Sequence, residues 1–168
     1  MPAWPSLSYE AWAPTCDTLH AHTQILGKLA VELAPAEPQL QHAALRLTPR
    51  GWETRVLPAP DGSGSIVAGL DLRTHEALVE HSDSRETRIP LTPHRPVAEV
   101  TWEVLEAVSR LAGDVEINPK PQEVPWAVPL DEDREHSTYE SQQSRPISRP
   151  RPRPLSFWTS FARPIAVG

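Results

Sequence analysis

Apolar and polar residues recur along this chain with two different periods, and each change of period marks a new element. Asp17 is placed to cap a helix over 17–33. Within it Leu19, His22, Leu26, Leu29, Ala30 and Leu33 fall on one stripe at helical spacing. A second, narrower face carries His20, Gln24 and Val31, with Lys28 at its margin. Pro35 and Pro38 end the helix, because proline has no amide hydrogen to continue it. From Leu40 the period falls to two. Residues 43–48 read as a strand, Pro49-Arg50-Gly51 as a turn, and 52–57 as the hairpin partner. Further strands are expected over 65–72, 77–81 and 86–91, joined by short turns. A second helix follows, with Val97, Val100, Thr101, Val104, Leu105, Val108 and Leu111 as its stripe and Gly113 as its C-cap. Residues 115–117 read as a short edge strand. Thereafter the chain is irregular.

Short connections make sequential strands pair with one another. The expected fold is therefore α+β and two-layered. An antiparallel meander of about five strands packs one face against two amphipathic helices.

Composition changes this picture at the two ends. The chain has 168 residues, with 20 Pro and only 7 Gly. One domain is expected over 1–140, followed by a Pro/Arg-rich disordered tail over 141–168. Trp4, Leu7, Tyr9 and Trp12 stand among prolines and are expected to form an arm lying over the core. The formal charge is −6, and it is unevenly spread. All 22 acidic residues precede residue 141, whereas five of the 16 basic ones follow it. An acidic body argues against nucleic acid and anionic lipid as partners. The single cysteine, Cys16, excludes an internal disulfide and agrees with a cytoplasmic location. The first residues lack the basic and apolar segments of a signal peptide, and no apolar run is long enough to span a membrane.

Several phrases of the chain are more specific than its pattern. They are Trp4-Pro5 with Tyr9, then Thr18-Leu19-His20 running through His22-Thr23-Gln24-Ile25 to Gly27-Lys28. Next come Leu47-Thr48-Pro49-Arg50-Gly51, Pro121-Gln122-Glu123-Val124-Pro125, and Asp131, Asp133, His136 and Tyr139 at fixed spacing. In this order, over about residues 4–140, the chain resembles the domain-of-unknown-function family 5996, mostly bacterial proteins with no assigned activity. Members of that family are usually longer and carry a phrase similar to Phe157-Trp158 and Ser160-Phe161. The resemblance thus implies a C-terminally truncated member.

Candidate chemistry centres on His20, Gln24 and Lys28, which follow one another at one-turn intervals along the first helix. They suit a polar strip lining a pocket, with His20 as acid, base or ligand and Lys28 as an anion anchor. A partly exposed face packed on the tryptophan arm explains the same spacing. Arg50 offers an anion-binding fork, although a hairpin turn also explains Arg50-Gly51. Tyr139 and His136 would complete a pocket between the first helix, the arm and the late segment. His22 lies in the apolar stripe and reads as a buried neutral imidazole. His20, Asp133 and His136 form the candidate metal set, with a spacing that is not diagnostic, and neither HExxH nor CxxC occurs. Cys16 with His20 would make a nucleophile pair, opposed by the neighbouring Asp17.

The expected role is a small-ligand-binding or accessory protein. A metal-assisted enzyme using His20 and His136 is the first alternative, and an interaction module working through the Pro/Arg tail the second. Cofactor, ligand identity and oligomeric state have no signature in the sequence.

Overall fold

The computed structural model describes residues 9–141. The expected arm residues Trp4 and Leu7, the Pro/Arg-rich tail and the Phe157 to Phe161 phrase lie outside the described residues. The elements are α1 (Tyr9–Leu33), a 3-10 turn (Pro38–Ala43), β1 (Arg46–Leu47), β2 (Gly51–Glu53), β3 (Leu57–Pro58), β4 (Ser65–Asp71), β5 (Glu76–His81), β6 (Glu86–Pro90) and α2 (Val97–Ala112). The sheet is antiparallel and open, in the order β1-β2-β4-β5-β6, with β3 also on β4.

Alternation decides which face is covered. Ile66, Ala68, Leu70 and Leu72 point the same way along the β4 lane, and Ala77, Val79, Ile89 and Leu91 join them. Onto that face α1 lays Leu19, Ile25, Leu26 and Leu29, and α2 lays Val97, Val100, Val104 and Val108. The opposite face carries ion pairs instead. Arg50 binds Glu53 and Glu80, and Arg88 binds Glu76 and Glu86. This is the expected two-layer α+β fold.

Four boundaries differ from the sequence reading, each for a physical reason. First, α1 begins at Tyr9 and runs through Pro14 and Asp17, so Asp17 is interior and caps nothing. Pro14 lies near the amino-terminal end, where the missing amide hydrogen forfeits one helical bond. Second, Trp52 and Leu57 both face the helices although they are five residues apart, which a regular strand forbids. A bulge resolves this. The register shifts from Glu53 opposite Gly69 to Leu57 opposite Ile66, so the expected second strand becomes β2 and β3. At the bulge Thr54 donates its amide to Ala68 O and accepts the Ala68 amide on its hydroxyl. Third, residues 38–43 form a 3-10 turn entered by Pro38, leaving only Arg46–Leu47 of the expected first strand. Fourth, 115–117 form no strand, and Val115 and Ile117 pack on the core from irregular chain.

The turns stand where glycine signals put them. Gly51, at φ +152, has no room for a Cβ, which would come within 2.2 Å of the Leu70 carbonyl oxygen. Gly113, at φ +96, ends α2 and lets the chain pass against Asp61.

Residues 118–140 form a strap across both helices. Leu130 and Tyr139 are fully buried. Thr101 Oγ1 bonds Leu130 O, and the Glu140 amide donates to Thr15 Oγ1. The strap also supplies the missing cap of α2. The orphan amides of Val97 and Ala98 donate to His136 O at 3.0 Å and Asp133 O at 2.9 Å.

Candidate functional site

The continuous α1 makes its outer side a longer strip than the sequence reading allowed. Trp12, Cys16, His20, Thr23, Gly27 and Val31 follow one another at three- or four-residue steps. Two adjoining cavities lie along this strip and share His20, Thr23 and Leu45. The polar one, about 470 Å³, is lined by Gln24 and Lys28 from α1, by Gln39 to Gln41 from the 3-10 turn, and by Gln122 and Glu123 from the strap. The apolar one, about 530 Å³, is lined by Trp12, Cys16, Leu19 and Trp52 besides the shared residues. Trp52 reaches it because the bulge keeps its side chain on the helix face.

Lys28 is 8% exposed, and among the described residues it carries no ion pair or hydrogen bond. Burial pushes its pKa below the ordinary lysine value. Gln24 is committed differently. Its Nε2 donates to Gln122 O at 2.8 Å, and its Oε1 accepts the Gln122 amide at 2.9 Å. It therefore reads the strap backbone as a neighbouring strand would, and holds the far wall of the polar cavity. Gln24→Ala is expected to cost about 1 kcal/mol of stability, and amide hydrogen exchange at Gln122 is expected to rise at least tenfold. Unchanged exchange would show that the wall stands without this clamp.

The cavity wall is also strained. Gln39, Leu40 and Glu123 hold left-handed backbone angles, at φ +55, +56 and +61. Such angles in non-glycine residues persist only where surrounding contacts impose them, and they gather at ligand sites.

The other sequence candidates lie in different places. His20 is exposed and sets its ring edge-on to Trp126, with centroids 5.4 Å apart. His136 packs on the same indole at 4.3 Å, and its Nδ1 lies 2.7 Å from Asp133 Oδ2. Trp126 thus stands between the two histidines. Among the described residues no group of three His, Cys, Asp or Glu side chains is arranged to hold a metal ion. Arg50 lies on the far side of the sheet with Glu53 and Glu80. Tyr139 is 1% exposed, with its hydroxyl 2.8 Å from His75 Nδ1. Neither residue lines the cavities. Burial first, and then the Asp17 carboxylate, push the Cys16 thiol above its ordinary range, which disfavours the thiolate that nucleophilic attack needs.

The sequence reading missed Trp52, Trp126, Leu45 and the Gln122-Glu123 wall. A period of 3.6 carried past Pro14 would have joined Trp12 and Cys16 to the strip. It also missed a cluster at the open end of the β4–β5 hairpin, where Ser63 precedes β4 and Asp83 follows β5. There Ser63 Oγ lies 3.2 Å from His81 Nε2, and His81 Nδ1 lies 2.9 Å from Asp83 Oδ1. The contact order is that of a Ser-His-Asp acyl-transfer site. Yet none of these residues lines either cavity, and the Ser63 hydroxyl and amide both engage Asp61. The cluster ties one end of the hairpin together.

No helix among the described residues is long and apolar enough to cross a membrane. No curated protein and no solved structure matches the chain. A family model described as a family of unknown function (DUF5996) matches residues 4–149. With its strip on α1, its strap and its sheet all inside that match, the chain belongs to the DUF5996 family.

Proposed function

We propose that this protein binds a small molecule in the cleft along the outer side of α1. The single observation that carries this reading is the pair of adjoining cavities sharing His20, Thr23 and Leu45. Their size is that of small-molecule sites, and they combine apolar walls with a few converging polar groups. A cytoplasmic location is part of this proposal, supported by a single cysteine that can form no internal disulfide. Residues 1–140 act as one unit, to which 141–168 are appended.

Neutral N-phenyl-1-naphthylamine, whose fluorescence rises in apolar surroundings, tests the cleft. The wild-type protein is expected to bind it at micromolar concentration, in the range of about −8 kcal/mol. Thr23→Trp, which fills the junction of the two cavities, is expected to abolish the signal while leaving circular dichroism unchanged. Equal binding by both proteins would place the probe elsewhere and remove the reading.

An acid-base role keeps one supporting observation. The Asp133 carboxylate orients the His136 imidazole, as a general base requires. That imidazole sits behind Trp126, outside the cavity lining, so the binding reading is preferred.

A further inference from the structure

The two cavities differ in chemistry, and Lys28 marks the difference. Its ammonium lies on the lining of the polar cavity with its stem buried. Glu123 is the one acidic residue on that lining, and it is exposed and unpaired with Lys28. The ammonium keeps contact with water through the open cavity, while no described residue supplies it with an opposite charge. The adjoining cavity offers indole and aliphatic surface from Trp12, Trp52, Leu19 and Leu45, with no Asp, Glu, Lys or Arg on its lining. His20 stands at the junction and faces both.

We propose that the cleft takes a small amphipathic anion, a carboxylate or phosphate monoester whose charged group meets Lys28 and whose apolar body lies against Trp12 and Trp52. The anion supplies the counter-charge that the fold withholds from Lys28, and the imidazole of His20 adds a hydrogen-bond donor at the junction. Desolvation of the pair makes the contact stronger than the same pair in water. The lowered lysine pKa follows from the same isolation, and an anion bound there would raise it again. This inference rests on the cleft reading above and adds the polarity of its occupant.

Displacement of N-phenyl-1-naphthylamine by decanoate, decyl phosphate and decanol tests it, below the concentrations at which each aggregates. At neutral pH decanoate or decyl phosphate is expected to displace the probe at a concentration at least tenfold lower than decanol. Whichever anion is tighter identifies the headgroup. In Lys28→Met the anions and the alcohol are expected to converge, with probe binding retained. Lys28→Arg is expected to keep the preference, which guards against a folding defect in the methionine variant. Decanol equal to both anions in the wild type, or an anion preference that survives Lys28→Met, would overturn the inference while leaving the cleft intact. Failure of the probe to bind wild-type protein at all removes the cleft and the inference together.

Discussion

Asp133→Ala is expected to lower the unfolding free energy by about 3 kcal/mol, the range for breaking a buried, hydrogen-bonded charge. The Asp133 side chain is among the most buried polar groups in the described residues, at 2% exposure. Its Oδ1 accepts the amides of Glu135 and His136, both at 3.0 Å, and its Oδ2 accepts from the His136 ring at 2.7 Å. Truncation leaves the three partly buried donors of Glu135 and His136 without their acceptor and frees the loop whose carbonyls cap Val97 and Ala98. The carboxylate also stands at the positive end of α2, where a negative charge is favourable. Asp133→Asn retains an acceptor for the amides and loses only the charge, so it is expected to cost about half as much. Urea denaturation of the three proteins decides the matter. A loss under about 1 kcal/mol for the alanine variant would mean that α2 keeps its cap without the Asp133 loop.

The second large effect is a loss of stability in mild acid, and it comes from His22. This imidazole lies in the helix–sheet core at 2% exposure, and its Nδ1 has no partner among the described residues. Burial lowers its pKa to about 4, Arg95 adds to that, and Asp133 opposes it. In the unfolded chain the value returns to about 6.5. Below pH 6.5 the unfolded state therefore takes up a proton that the folded state refuses. The contribution is complete above pH 6.5 and is lost as pH falls toward 4. Over that window it amounts to about 3 kcal/mol. His22→Leu removes both the titration and the unpaired nitrogen, so its stability at pH 7 is expected to stay within about 1 kcal/mol of wild type. Unfolding measured from pH 7 to pH 4.5 should show the wild type losing more stability than His22→Leu. Parallel curves for the two proteins would mean that His22 is not held neutral by the core. Carboxylates that titrate lower, such as Asp71 with Arg73, act on both proteins alike and cancel in the comparison.

The two effects meet at one place. Asp133 and Arg95 bear on His22 from the strap and from the loop before α2. Arg95 itself is anchored by Glu103 and by Pro90 O.

Much of this architecture was legible in the chain itself. The 3.6-residue stripe from Leu19 to Leu33 and the stripe from Val97 to Leu111 had only one way to bury their apolar sides. The alternation from Ile66 to Leu72 and in the strands after it told which sheet face would receive them. Gly51 and Gly113 marked a turn and a helix end because no other residue fits their backbone. The strip of His20, Gln24 and Lys28 was visible for the same reason, since helical spacing is a local property.

What each of those side chains does was settled only by tertiary contact. Gln24 bonds the backbone of Gln122, which is 98 residues away, and irregular chain carries no period by which that meeting could be foreseen. Trp52 faces the cleft because Trp52 and Leu57 compete for one sheet face and a bulge satisfies both. Pro14 hid the first turns of α1, because the helix tolerates a lost amide bond near its end that a local rule treats as a stop. Arg50, expected to offer an anion-binding fork from a hairpin turn, was carried to the side of the sheet away from the cleft by the pleat. Local periodicity thus determined the layers and their faces. The walls of the cleft depended on the strap, whose place is set by long-range hydrogen bonds and by the burial of Leu130, Asp133 and Tyr139.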